Sequence, residues 1–160
     1  MKTWIMMRHG KSSWELQVSD VDRPLNQRGI DDAHLMGSFL ASKNVHIDAA
    51  YTSPANRAAH TGLIVLKELN LPLHKLSVSN MLYDFSGEDI LEFVRCLSDE
   101  QNSIITFGHN HACTTLAHSL GGYEGNNIPT ASAVLFRFDV SLWSSIQTGT
   151  AECFSPKMLI

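Results

Sequence analysis

Short apolar runs alternate along this chain with stretches whose apolar residues recur at helical spacing. The strand-like runs are Thr3–Met7, Asp48–Thr52, Ser103–Phe107 and Ala133–Phe138, with weaker signals at His74–Val78 and Ala151–Phe154. Helical spacing is clearest from Arg28 to Leu40 and from Pro54 to Leu69. Such alternation predicts an α/β fold, a three-layer sandwich in which helices flank a mostly parallel central sheet.

Composition narrows the class of protein. The chain has 160 residues, of which 44% are hydrophobic and 18% charged, so it has enough apolar side chains for a core and is not intrinsically disordered. No linker or repeat divides it, and we expect a single domain over residues 1–160. Its formal net charge of −4 argues against a nucleic-acid partner.

The apolar runs and the cysteines indicate the cellular compartment. No apolar run approaches the roughly 20 residues that span a bilayer, so no membrane association is expected. Three widely spaced cysteines, Cys96, Cys113 and Cys153, include no CxxC pair. Free thiols of this kind fit a reducing compartment, and we predict a cytoplasmic protein.

Polar clusters follow three of the predicted strands. They are Arg8-His9-Gly10, Ser53-Pro54 leading to Arg57, and Gly108-His109. Ligands of such sheets bind at the carboxyl ends of the strands, so we expect two Arg and two His to share one patch. Arginine matches phosphate oxygens, a neutral His can be a nucleophile, and Gly10 is expected to let the backbone approach a ligand. The pattern predicts a site for a phosphoryl group.

Several motifs connect these clusters to a known family. In chain order they are RHGKSSW at 8–14, DRPLNQRG at 22–29, SPANRAAHT at 53–61, GHN at 108–110, and Pro129-Thr130 before the last long strand. They resemble the motifs of the histidine phosphatase superfamily, also called phosphoglycerate-mutase-like. Within it the sequence is similar to the small SixA-type phosphohistidine phosphatases, over nearly the whole chain. The resemblance implies a phosphoglycerate-mutase-like fold.

The resemblance also implies residue roles. His9 would attack phosphorus and become a transient phosphohistidine. Arg8 and Arg57 would clamp the phosphoryl oxygens, and His109 would donate to them. Gly10 and Asn110 complete the expected substrate-binding set. No metal or other cofactor is implied, because the arginines and His109 supply the positive charge.

One family feature is missing. Many members place a Glu before a Leu-Tyr pair as the general acid, but this chain has Asn80-Met81-Leu82-Tyr83. Asp84 is our candidate proton donor, and Glu88 is the second. A phosphohistidine substrate needs little help from a donor, since its imidazole leaves readily once protonated, so the absence of any donor stays open.

Two further arginines, Arg23 and Arg28, lie within the motifs. Arg23 and Arg28 are expected to pair with nearby acids, with positioning of the adjoining loop as the alternative; the acids are Asp20, Asp22 and Asp31. Cys113 is expected to be packed in the core.

The function implied by the resemblance is hydrolysis of phosphohistidine on a signalling protein, such as a histidine phosphotransfer domain. A short chain leaves little sequence for a lid, which favours a protein substrate over a small molecule that must be enclosed. Two alternatives stay open. One is a phosphomonoesterase acting on small phosphate esters, and the other is a non-catalytic module that binds phosphoproteins.

Overall fold

The computed structural model describes the whole chain, Met1–Ile160. Its strands are β1 (Lys2–Arg8), β2 (Ala49–Thr52), β3 (Leu76–Val78), β4 (Ser103–Gly108), β5 (Ala133–Phe138) and β6 (Thr150–Phe154). Its α-helices are α1 (Gln27–Ser42), α2 (Asn56–Glu68), α3 (Glu88–Arg95) and α4 (Ala112–Gly121). No helix combines the length and the apolar composition needed to cross a membrane.

All six strands join one sheet in the order β3-β2-β4-β1-β5-β6. The first four in that order run parallel to one another, whereas β5 is antiparallel to both of its neighbours. Helices α1, α2 and α3 make the connections between the parallel strands, as parallel pairing requires. The predicted mostly parallel α/β sheet is therefore confirmed, and Thr150–Phe154 is the edge strand expected near Ala151.

Alternating side chains of β1 divide the core into two layers. Trp4 and Met6 belong to one cluster of buried residues, together with side chains of α3 and α4. Ile5 and Met7 belong to a second cluster, together with side chains of α1 and α2. Because successive residues of a strand point to opposite faces, this alternation makes the three-layer sandwich that the sequence predicts.

Two predicted boundaries differ from the structure. The weak strand expected over 74–78 begins as a 3₁₀ turn at Leu73–Lys75 and pairs only from Leu76. Helix α2 begins at Asn56, two residues after the proline expected to open it. Ala55, with extended backbone (φ −61°, ψ 133°), is the N-cap, and the Ser53 amide continues the pairing of β2 with β4 by donating to the Phe107 carbonyl at 3.0 Å.

Candidate active site

Three neighbouring strands, β2, β4 and β1, end at the same edge of the sheet. The amide of His9 donates to the Gly108 carbonyl (3.0 Å), so the pairing of β1 with β4 continues one residue beyond Arg8. The three polar clusters therefore meet, as the sequence predicts. They border an open cavity of about 460 Å³, lined by Arg8, His9, Lys11, Ser12, Trp14, Asp20, Arg23, Arg57, Phe85, His109, Asn110 and Thr130.

His9 is held in one tautomer. Its Nδ1 lies 2.6 Å from the Gly10 carbonyl oxygen, which can only accept, so Nδ1 carries the proton. Nε2 then presents a lone pair, to which Nε of Arg57 donates at 3.4 Å. Burial, together with the nearby arginines, lowers the pKa of His9 to about 4 although the Gly10 hydrogen bond opposes that shift. The ring is therefore neutral and nucleophilic near pH 7.

His109 is fully buried behind His9, with 5.3 Å between the two ring centroids. Its Nε2 lies 2.8 Å from Oγ of Ser53, and Arg57 donates to its Nδ1 at 3.4 Å. Burial and the neighbouring His9 and Arg57 lower its pKa to about 3. The Ser53 hydroxyl can accept from Nε2 or donate to it, so the ring can change tautomer and turn Nδ1–H toward a ligand.

Two arginines supply positive charge. Arg57, 3% exposed in the first turn of α2, uses its terminal nitrogens on the Asp20 carbonyl (2.6 Å) and the Asp20 carboxylate (3.0 Å). Arg8, at the end of β1, donates to the Ile128 carbonyl at 2.7 Å. Its Nε is buried and has no partner. Because an unpaired buried donor is costly, Arg8 is suited to an incoming anion.

Arg23 is a third arginine of the cavity wall. It is 8% exposed and donates to Asp20 at 3.1 Å, which confirms the expected pairing, and it also donates to the Ser12 hydroxyl. Its guanidinium carbon lies 3.4 Å from the centroid of the Trp14 ring. This stacking fixes Trp14 at the mouth of the cavity.

Gly10 does not line the cavity, and its predicted contact with the ligand stays a prediction. Its amide donates to Oγ1 of Thr61 (2.9 Å), and its carbonyl holds His9. A Cβ atom on Gly10 would lie 2.7 Å from the Gly29 carbonyl oxygen. The glycine is needed because the loop packs backbone to backbone against the start of α1, and its contribution is to position His9.

Asn110 borders the cavity, but its amide group is already paired. Its oxygen accepts from the amide and the hydroxyl of Thr114, at 3.1 and 2.7 Å, near the start of α4. Its nitrogen donates to Asn127 at 2.5 Å. Asn110 therefore joins α4 to the 127–130 loop, and the predicted substrate contact stays a prediction.

Asp84, the proton donor that the sequence suggests, has a carboxylate already engaged by backbone amides, and its donor role stays a prediction. It is 7% exposed, does not line the cavity, and caps α3 by accepting from four backbone amides, those of Ser86, Gly87, Asp89 and Ile90. Burial alone would raise its pKa, but these hydrogen bonds outweigh burial and hold the pKa below its usual value. Glu88, the second candidate, is an exposed residue of the first turn of α3 and also lies outside the cavity lining.

The carboxylate that does line the cavity is Asp20. It accepts from Arg57, Arg23 and the Tyr83 hydroxyl, and its side chain is 45% exposed. The Tyr83 hydrogen bond and then the Arg57 contact lower its pKa to about 2 although burial opposes them. Tyr83 also packs edge-on against His109, with ring centroids 5.2 Å apart. The sequence predicts Asp20 only as one of the acids that pair with Arg23 or Arg28.

The cavity thus combines a neutral imidazole lone pair with guanidinium groups around it. No three His, Cys, Asp or Glu side chains are grouped so that they can hold a metal ion. A tetrahedral phosphoryl group would meet donors from Arg8, Arg57 and His109 while facing Nε2 of His9. This arrangement is suited to nucleophilic attack on phosphorus.

Comparison with known proteins agrees with this geometry. The family model of the histidine phosphatase superfamily (branch 1) matches residues 4–77. An uncharacterized protein of Mycobacterium tuberculosis (strain H37Rv) is 28% identical over 158 residues, which cover 91% of this chain and 94% of that protein. A 2,3-bisphosphoglycerate-dependent phosphoglycerate mutase of Beijerinckia indica is 37% identical over 71 residues, 42% of this chain and 34% of the mutase.

Among solved structures, the protein histidine phosphatase SixA in complex with tungstate superposes with a TM-score of 0.83 and 26% identity. The match covers 99% of both chains. Sequence motifs, sheet order and whole-chain superposition therefore agree. Residues 4–77 match the histidine phosphatase superfamily, and the whole chain has the architecture of the SixA structure.

Proposed function

We propose that this chain is a phosphatase that removes the phosphoryl group from phosphohistidine on a protein, through a phosphohistidine intermediate at His9. The observation that carries the proposal is the Nε2 lone pair of His9, directed at the Nε of Arg57 3.4 Å away and fixed by the Nδ1 contact with Gly10. The match to the histidine phosphatase family model and the structural similarity to SixA support the phosphatase activity.

In the first step Nε2 of His9 attacks phosphorus, and the bond from phosphorus to the substrate nitrogen breaks. Arg8 and Arg57 bind the phosphoryl oxygens, which offer an acceptor to Nε of Arg8, a buried donor with no partner in the protein. His109 donates through Nδ1 once its proton has moved. In the second step water attacks phosphorus, the bond to His9 breaks, and inorganic phosphate leaves.

A protein substrate is supported by the surroundings of the cavity. Trp14 is 75% exposed and Phe85 46% exposed, and both side chains form part of its wall. Leu16 and Val18, on the same loop as Trp14, are 58% and 44% exposed. Apolar side chains around a charged centre are suited to a folded surface that presents one phosphorylated residue.

Structural similarity points in the same direction. The SixA protein with the TM-score of 0.83 is named a protein histidine phosphatase, and it holds tungstate, an oxyanion like phosphate. Its 26% identity over nearly the whole chain supports a phosphohistidine substrate here.

The test is a comparison of kcat/KM among three substrates: a phosphohistidine-bearing histidine phosphotransfer domain, phosphoimidazole and 4-nitrophenyl phosphate. We expect the protein substrate to be the best by a large factor. His9→Ala should abolish turnover of all three and keep the melting temperature of the wild type. Wild type quenched in base should carry a phosphoryl group that acid releases.

Other outcomes would select the alternatives. A small phosphate ester that is turned over faster than the phosphoprotein would indicate a phosphomonoesterase. Tight binding of the phosphoprotein with no phosphate release would indicate a binding module. Retention of most activity in His9→Ala would show that His9 is not the nucleophile.

A further inference from the structure

Asp20 is an anomaly in a cavity built for an anion. Its carboxylate accepts from Arg57 at 3.0 Å and from Arg23 at 3.1 Å. Of these two arginines, Arg57 also contacts His9. Arg57 makes every contact from one guanidinium: Nε reaches His9 at 3.4 Å, while a terminal nitrogen reaches both Asp20 and, at 3.4 Å, His109. Any oxyanion held by Arg57 in front of His9 is therefore a neighbour of Asp20.

A second negative group competes with Asp20 for these donors and repels its carboxylate. When a phosphoryl group takes hydrogen bonds from Arg57, Asp20 loses part of its positive surroundings and faces a dianion. Both effects favour the protonated carboxyl group. The other groups that face Asp20 are Arg23, the neutral Tyr83 hydroxyl and, further away, His109.

We propose that Asp20 is the catalytic proton donor of this chain, and that binding of the substrate's phosphoryl group is what protonates it. The proposal rests on the phosphoryl transfer proposed for His9. It gives Asp20 the task that a Glu performs in many members of the histidine phosphatase superfamily, whereas the Asp84 carboxylate is occupied as a helix cap. In the empty protein the low pKa of Asp20, about 2, keeps it charged and paired.

Protons balance over the two steps. Asp20 takes up one proton from solvent as the substrate binds. As the bond from phosphorus to the leaving group breaks and the bond to His9 forms, this proton moves to the leaving atom. Asp20 then accepts a proton from the attacking water, whose oxygen bonds to phosphorus while the bond to His9 breaks. Phosphate departs, and Asp20 releases this second proton to solvent and, again ionised, pairs with its arginines.

The closing experiment compares wild type, Asp20→Asn and Asp22→Asn. Asp22 is a matched control, since it lies two residues away on the same 3₁₀ turn and its carboxylate accepts only from Ser19. For an alkyl phosphate, whose alkoxide needs a proton, Asp20→Asn should lower kcat/KM by about 10²–10⁴-fold. For 4-nitrophenyl phosphate the loss should be less than about tenfold, because that leaving group needs little protonation. Asp22→Asn should match wild type with both substrates.

Calorimetric titration with inorganic phosphate, in buffers of different ionisation heat, gives a second readout. We expect Asp20→Asn to take up about one proton fewer than wild type on binding. We also expect it to bind phosphate as tightly or more tightly, because a competing carboxylate is gone. A residue that only positions Arg57 would instead weaken binding and leave proton uptake unchanged.

Each result has a distinct meaning. Equal losses of kcat/KM for both leaving groups, or unchanged proton uptake, would overturn the role of Asp20 and leave the proposed phosphatase intact. If wild type turned over none of the phosphorylated substrates, the proposed function would fail first, and Asp20 would have no leaving group to protonate.

Discussion

Replacing Asp84 by alanine removes the acceptor for four backbone amides at the start of α3. Two of these donors, Asp89 and Ile90, belong to the first turn of the helix, and Gly87 is itself buried. Loss of a capping side chain costs about 0.5–2 kcal/mol, and a buried donor without a partner adds roughly 1–3 kcal/mol. We therefore expect Asp84→Ala to lower the free energy of unfolding by about 3 kcal/mol, which corresponds to a fall of roughly 6–12 °C in Tm.

The assay is urea unfolding followed by circular dichroism, with kcat measured on the folded fraction. The kcat values and their dependence on the leaving group should stay close to wild type, because Asp84 lies outside the cavity lining. Glu88→Gln is the control: it changes an exposed carboxylate in the same turn and should cost less than about 1 kcal/mol.

The effect should also depend on pH. The folded pKa of Asp84 lies below the usual value of 3.8, so its stabilisation is present above that pH and is lost as the pH falls through the folded pKa. The difference between wild type and Asp84→Ala should therefore narrow in acid. A variant that unfolds within about 0.5 kcal/mol of wild type but loses turnover of alkyl phosphates would refute the capping role.

Further predictions concern the cavity and the loop beneath it. Because the pKa values of His9 and His109 are lowered to about 4 and about 3, acidification below pH 6.5 should destabilise the fold. The slope is about 1.4 kcal/mol per pH unit for each imidazole, and a flat stability profile between pH 7 and 5 would contradict the assigned neutral rings. Arg57→Ala should weaken orthovanadate binding by about 10–100-fold in a titration, the effect of one lost charge-assisted contact. Gly29→Ala would place a Cβ atom 2.2 Å from the Lys11 carbonyl oxygen, so a thermal melt should show a clear loss of stability, and an unchanged Tm would argue against this backbone contact.

The sheet and the centre of the cavity could be predicted because each depends on a local signal. Apolar runs such as Ser103–Phe107 identify buried strands, and the polar residues that end them, His9 and His109, must lie at one edge when the strands are parallel. His9 and His109 come together because β1 and β4 are adjacent in the sheet; the order of the other strands does not matter.

The roles of Asp84 and Asp20 could not be predicted in this way. Every residue except proline has a backbone N–H that can donate. The sequence therefore does not show which carboxylates accept from backbone amides. Asp84 therefore resembled a free acid next to the Leu-Tyr pair. Asp20 reaches Arg57, 37 positions away, only because the 3₁₀ turn at Asp20–Asp22 packs against α2.

The hydrogen bonds from His9 to Gly108 and from Ser53 to Phe107 have a consequence for motion in the cavity. These amides continue the pairing of the central strands, so they should exchange with deuterium only when the sheet itself opens. The segments that carry Trp14 and Phe85 lie outside the six strands, and the Trp14 segment has only an isolated bridge between Ser12 and Leu25, so both should open at a smaller free energy than the sheet. A docking surface can therefore reshape the rim of the cavity while the imidazole at its base keeps a fixed position.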